Sequence, residues 1–201
     1  MHSHLQPDLA AAAKAHPTAI ASGPRFLRTA LPAFALQALV SGEYGQEYLT
    51  LTQDHGHGHW RVLVHWPSTS LIQCPRELSE LGRRQGEFSS VGALIIGVAG
   101  DTHSILHSWR GNGRQAGKLP YPIIDDRKQE WARAMHLAVA DASTITPSTL
   151  IVDPQGDIRM VQHHHRTSCR DIGELLNTLS RLIEADVATR LIPPLAGTHL
   201  A

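Results

Sequence analysis

The stretch Arg61–Gln85, RVLVHWPSTSLIQCPRELSELGRRQ, constrains this chain more than any other. Its first six residues are apolar and β-branched enough for a buried strand, and its last eleven predict a helix with Leu78 and Leu81 on one face. Cys74 falls at the junction. With the helix starting there, Pro75 takes the first helical position and Glu77 the third, the order that helix starts favour. A thiol in that place meets unpaired backbone N–H groups and the positive end of the helix dipole, which favour thiolate over thiol. A free cysteine is commonly a small buried hydrophobe. A position between strand and helix, beside a proline and outside any apolar run, points instead to a reactive sulfur.

The 201 residues suffice for one domain with tails and a proper core. Eighteen basic and eighteen acidic side chains cancel, so the charge suggests neither a nucleic-acid nor a membrane partner. No apolar run reaches membrane-spanning length. The N-terminal alanine-rich segment is interrupted by Lys14, His16 and Pro17, which argues against a secretory signal. Two cysteines, Cys74 and Cys169, make no disulfide framework and fit no zinc pattern; they suit a reducing, cytoplasmic setting.

Residues 1–27 read as an N-terminal extension, flexible or partly helical, residues 28–188 as the folded domain, and residues 189–201 as a C-terminal tail. Two β-like runs flank Ser41-Gly42 and predict a hairpin, with Phe34, Leu36 and Ala38 alternating in the first. VGALIIGVAG predicts a central, covered strand that ends at Asp101 and Thr102, the cap of a helix reaching about Trp109. LPYPIID, with two prolines, predicts a short strand near an edge. RKQEWARAMHLAV predicts a helix. STLIVDPQGDIRMVQ predicts two strands joined by the turn Asp153-Pro154-Gln155-Gly156. A last helix from about Arg170 to Ala188 carries Ile172, Leu175, Leu176, Leu179, Leu182 and Ile183 at helical spacing. The alternation implies an α/β architecture, a central mixed sheet flanked by helices.

Several ordered words match one family. Pro67, Cys74, Pro75 and Glu77 stand at the offsets of P-x-x-x-T-x-x-C-P-x-E; LPAFALQA resembles A-P-x-F-x-x-x-A, VAGD resembles V-S-x-D, and YPIIDD resembles F/Y-P-x-x-x-D. Trp109 follows VAGD, and TLIVDPQGDIR resembles F-I-I-D-P-x-G-x-I-R. The chain therefore resembles the peroxiredoxins, most nearly the alkyl hydroperoxide reductase C group, over roughly residues 30 to 185. That resemblance implies a thioredoxin-like fold of peroxiredoxin type and a thiol peroxidase acting on hydrogen peroxide or organic hydroperoxides through a Cys74 sulfenic acid. It implies no bound cofactor. As partners it implies the peroxide, an external thiol reductant (thioredoxin-like or of low molecular weight), and further copies of the chain in a homodimer or a ring of dimers.

In the resemblance, Cys74 is the nucleophile, Pro67 and Pro75 shape its loop, and Glu77 supports the helix start. Two positions depart from the family's pattern. Leu71 stands for its threonine, leaving Thr69, Ser70 and Gln73 as nearby polar groups, and Pro147 stands for its substrate-binding arginine. Each missing donor removes about 3 kcal/mol of transition-state stabilisation. A catalytically weak relative acting in redox sensing or as a protein-interaction scaffold is the alternative. Thr146-Pro147 resembles the Thr-Pro that thioredoxins carry beside the active cysteine, often as a cis bond.

The family's resolving cysteine sits in a C-terminal tail, which here contains none. Cys169 therefore reads as a free packing thiol, with a resolving role as the other option, and a one-cysteine cycle is the working version. His55-Gly-His57-Gly-His59 and His163-His164-His165 invite a metal reading. Flexible glycines in the first and alternating directions in the second predict adventitious binding and no built metal site. Trp66, Trp109 and Trp131 are expected in the core or at subunit contacts.

Overall fold

A computed structural model describes residues 24–40, 47–67, 75–101, 104–106, 119–137, 145–165 and 168–191. These form β1 (Arg25–Ala30), β2 (Ala35–Leu39), β3 (Tyr48–Thr52), β4 (Trp60–Trp66), α1 (Pro75–Arg83), α2 (Gln85–Ser90) and β5 (Ala93–Ala99). They continue with β6 (Ile123–Asp125), α3 (Glu130–Ala134), β7 (Ser148–Val152), β8 (Asp157–His163) and α4 (Ile172–Leu191).

β4 is buried along its whole length because strands cover both of its edges and side chains cover both of its faces. It runs parallel to β5 and antiparallel to β7 within one sheet of order β1-β8-β7-β4-β5-β6-β2-β3. Successive strand residues point to opposite faces, so Trp60, Val62, Val64 and Trp66 enter one core while Leu63 enters the other. The first core receives Leu78 and Leu81 from α1, Phe88 from α2, and Ile172, Leu175 and Leu179 from α4. The second receives Trp131 and Ala132 from α3, with Met135 beside them. Burying a leucine such as Leu81 stabilises the fold by about 1.5–3 kcal/mol.

Most predicted elements occur. β2 and β3 form the expected antiparallel hairpin, Ala38 is buried, and Phe34 and Leu36 pack against the second core. β7 and β8 join through the predicted turn, where Gly156 adopts φ +94° and the Asp153 carboxylate accepts the Gln155 and Asp157 amides. The last helix begins two residues later than expected and runs to Leu191.

Four expectations need correction. β6 lies inside the sheet, parallel to β5 and antiparallel to β2, because Pro120 and Pro122 precede the strand and withhold no donor from its ladder. The helix expected across residues 127–139 is only Glu130–Ala134, bounded by Gln129 at φ 58° and His136 at φ 53°. Its start is fixed by the buried Asp126 carboxylate, which accepts the Trp131 and Ala132 amides at 2.9 and 3.0 Å. The helix after residue 74 breaks near Arg84 and resumes as α2, which brings Phe88 into the core. β1 is an additional strand, paired antiparallel with β8 at the sheet's edge; apart from Leu27 its residues are exposed, and its two large apolar residues, Phe26 and Leu27, are adjacent, so no alternation reveals it. No peptide bond among the described residues is cis, Thr146–Pro147 included.

Candidate active site

The site is built at the C-terminal ends of the parallel strands β4 and β5 and the N-terminal end of β7. Pro67 follows β4 directly and is buried. The Gly100 amide, just past β5, donates to the Trp66 carbonyl at 3.0 Å. A Cβ at Gly100 would sit 2.0 Å from the Pro67 carbonyl oxygen, so only glycine permits this approach of the two strand ends. Cys74, Thr69, Ser70, Leu71 and Gln73 lie outside the described residues, as does Trp109.

Glu77 is the best-anchored of the predicted residues. It is 6 % exposed. Its carboxylate accepts the Trp66 indole N–H at 2.9 Å, the Arg170 backbone N–H at 3.0 Å, and a hydrogen bond from Arg170 Nη1. The same guanidinium donates through Nε to Thr149 Oγ1 (3.0 Å) and through Nη2 to the carbonyls of His65 (2.6 Å) and Ser148 (3.1 Å). Its carbon lies 5.4 Å from the centre of the Trp66 ring. Burial pushes the Arg170 guanidinium below its ordinary value, opposed by the charge and hydrogen bond of Glu77. Trp66 is thus a core residue, as expected, that also holds this carboxylate.

Hydroxyls partner the neighbouring histidines of this end of the sheet. Thr149 Oγ1 accepts from Arg170 Nε and lies within hydrogen-bond reach of His164 Nε2, at 2.9 Å. Burial, then the charge of Arg170, lowers the His164 pKa to about 3. His163 faces the other way, with Nδ1 at 3.2 Å from Thr146 Oγ1 and 3.0 Å from Ser148 Oγ. Adjacent histidines therefore serve two different hydrogen-bond groups, as alternation along a strand predicts. His65 is fully buried, directs Nδ1 to the Thr146 carbonyl at 3.3 Å, and stacks obliquely on Trp131 at 5.8 Å. Its pKa is lowered to about 3, first by burial and then by Arg170.

Pro147 lies at the start of this cluster, half-buried, with its carbonyl accepting the His164 amide at 2.8 Å. Cys169 overturns its reading as a free packing thiol: it is exposed and disulfide-bonded. It lines a cleft of about 230 Å³ with Thr149, Gln162, His164, Asp171 and Glu174. Arg170, His65, His164 and Thr149 were not singled out as site residues from the sequence. Only the order Cys-Arg-Asp at a helix start hinted at Arg170, since nothing local reveals a partner 93 residues away.

The sheet is mixed, and Glu77 of its buried pair with Arg170 stands three residues beyond Cys74 in the sequence. The model of the AhpC/TSA family matches residues 27–161, and the chain belongs to that family. It is 31 % identical over 159 residues to alkyl hydroperoxide reductase C of Mycobacterium tuberculosis, covering 75 % of this chain and 81 % of the relative. It is 26 % identical over 153 residues to alkyl hydroperoxide reductase C of Escherichia coli, covering 76 % and 80 %. Among solved structures, Mycobacterium tuberculosis AhpC superposes with a TM-score of 0.70 at 30 % identity, covering 79 % of this chain and 98 % of that one. Enterococcus faecalis AhpC superposes with a TM-score of 0.73 at 20 % identity, over 84 % and 99 %, a likeness of fold.

Proposed function

We propose that the protein is a thiol-dependent peroxidase that reduces hydrogen peroxide or organic hydroperoxides, with Cys74 as the attacking sulfur. The Glu77 carboxylate carries this reading. Three residues beyond Cys74, it is gripped by Trp66 and Arg170, so the helix start that would stabilise a thiolate is held to the sheet. The thiolate attacks one peroxide oxygen, the O–O bond breaks, and an alcohol or water leaves with a proton. Among the described residues Arg170 is the cation hydrogen-bonded to the helix that follows Cys74, and Ser70 and Gln73 are the polar side chains next to Cys74 in sequence that would bind the peroxide. Pro147 contributes its backbone carbonyl to holding His164 at this end of the sheet.

A second reading, a slow member used for redox sensing or as a scaffold, draws on Leu71 and on an Arg170 fork already committed to protein acceptors. Peroxide consumption with a generic dithiol separates the two. The natural protein should turn over, Cys74→Ser should fall to background, and Leu71→Thr should gain up to about 100-fold from one added donor. Equal, slow rates in all three would exclude the peroxidase. The reductant, in this reading, is an external thiol in a reducing compartment such as the cytoplasm. The working assembly is a homodimer or a ring of dimers, to be measured by light scattering. No helix of the described residues is long and apolar enough to cross a membrane.

A further inference from the structure

We propose that His164 is an acid release for the Arg170 pin: on taking up a proton it displaces the Arg170 guanidinium from Thr149 and frees the start of α4 from α1 and β7, while the sheet stays folded. The release needs no peroxide and no thiol, so it stands apart from the peroxidase reading. Arg170 is the residue that ties this segment down. Its amide and guanidinium bind Glu77 on α1, its Nη2 binds the carbonyls of His65 and Ser148, and its Nε binds the hydroxyl of Thr149.

One hydroxyl separates this guanidinium from His164. Thr149 Oγ1 accepts from Arg170 Nε at 3.0 Å and lies 2.9 Å from His164 Nε2. A neutral imidazole suits that place, because its ring nitrogen either accepts from the hydroxyl or donates to it. An imidazolium only donates, so two cations would then share one oxygen, in a place where burial leaves their repulsion poorly screened. The His164 backbone is held at the end of β8, its amide bonded to the Pro147 carbonyl at 2.8 Å. Arg170 has somewhere to go: with His164 it lines the cleft of about 230 Å³, into which its side chain can turn.

The carboxylates around His164 are already engaged. Glu77, on α1, serves Arg170 and Trp66. Asp171, before α4, accepts the Glu174 amide at 2.9 Å, and Glu174 itself pairs with Arg181. The neighbouring imidazoles have partners elsewhere: His65, on β4, directs Nδ1 to the Thr146 carbonyl, and His163, on β8 and under the charge of Arg25 from β1, directs Nδ1 to the hydroxyls of Thr146 and Ser148. His165 follows His164 in the chain, β7 presents hydroxyls only, and Cys169 is disulfide-bonded and does not titrate. The charges that act on His164 are those of Arg170 and His163, and both oppose its protonation.

The sign of the linkage follows. With Arg170 pinned, the His164 pKa is held at about 3. An imidazole freed into water takes about 6.5. The released form therefore binds the additional proton, the pinned form is favoured above pH ~6.5, and release grows as pH falls from there toward 3. One proton drives one local opening, because His65 and His163 keep their own partners when Arg170 leaves.

Hydrogen exchange of the full chain, followed by NMR and normalised to intrinsic rates, reads the release at the Arg170 amide, which the Glu77 carboxylate protects. From pH 7 to pH 5 that protection should fall about 25-fold, the factor set by one imidazole of pKa ~6.5 released and ~3 pinned. The buried Leu150 amide should remain the slower throughout. His164→Gln should make the Arg170 protection independent of pH over this range, and His163→Gln should keep the fall. Equal acceleration at Arg170 and Leu150 would mean global unfolding and overturn the proposal, as would an undiminished fall in His164→Gln or its loss in His163→Gln. Where His164→Gln does not fold, imidazole titration of the natural protein decides. The His164 ring should stay neutral in the pinned form at pH 5, and a midpoint near 6.5 with no faster exchange at Arg170 would overturn the release.

Discussion

Two buried arginines stand at opposite ends of the central strands and are used differently. Arg61, on β4's first turn of pleat, donates to the carbonyls of Gln53, His55 and Asp153 and so ties the His-Gly turn to the β7–β8 turn. Asp153 and Asp54 act on it through space, without a direct ion pair among the described contacts. Arg170 instead closes on the Glu77 carboxylate and reaches β4 and β7 through the carbonyls of His65 and Ser148. One guanidinium staples turns; the other joins the two segments that carry the cysteines. Desolvating a cation is costly in both places, and only at the second does a carboxylate accept directly from it.

The largest effect should follow from Glu77→Ala, which leaves Arg170 buried without its anion. Urea unfolding should show a loss of about 3–5 kcal/mol, and peroxide consumption with a generic dithiol should slow. Arg61→Leu is the counterpart: three carbonyls lose a donor, for a loss of about 2–3 kcal/mol, with peroxide consumption unchanged. Equal slowing by both variants would erase the distinction between the two ends.

Acid sharpens the same contrast. His65 and His164 have folded pKa values of about 3, below the unfolded imidazole value of about 6.5. The unfolded chain thus binds more protons in between. Their contribution is complete above pH ~6.5 and is lost as pH falls toward 3, by about 1.4 kcal/mol per pH unit for each ring. Unfolding free energies measured from pH 7 to 4.5 should show this slope, and His164→Gln should remove one ring's share. An unchanged slope would mean that His164 protonates without hindrance in the fold. The smallest effect belongs to Thr149→Val, which removes the hydroxyl between Arg170 and His164. It should cost about 1–2 kcal/mol, and NMR titration should show altered protonation of His164.

Legibility followed the range of the interaction. Val62, Val64, Leu78 and Leu81 were readable because alternation and helical spacing are local patterns, and so was the Asp153–Gly156 turn. Glu77 was readable as a helix-start residue but not as the anion of Arg170. β6 was misplaced toward the edge because prolines were weighed without knowing that β2 would pair outside it. Cys169 was misread because a lone cysteine gives no sign of its distance from another.

The stretch Arg61–Gln85, with the ordered words that follow it, therefore determined the family, the buried strand and the helix that carries Leu78 and Leu81. Those follow from residue types at fixed short spacings. Tertiary structure alone decided that Arg170 grips Glu77, that neighbouring histidines serve opposite hydrogen-bond groups, and that Cys169 is an exposed, oxidised partner. Each of these depends on side chains brought together across the sheet, where burial makes a charge seek its counter-charge and the local sequence carries no trace of which one it finds.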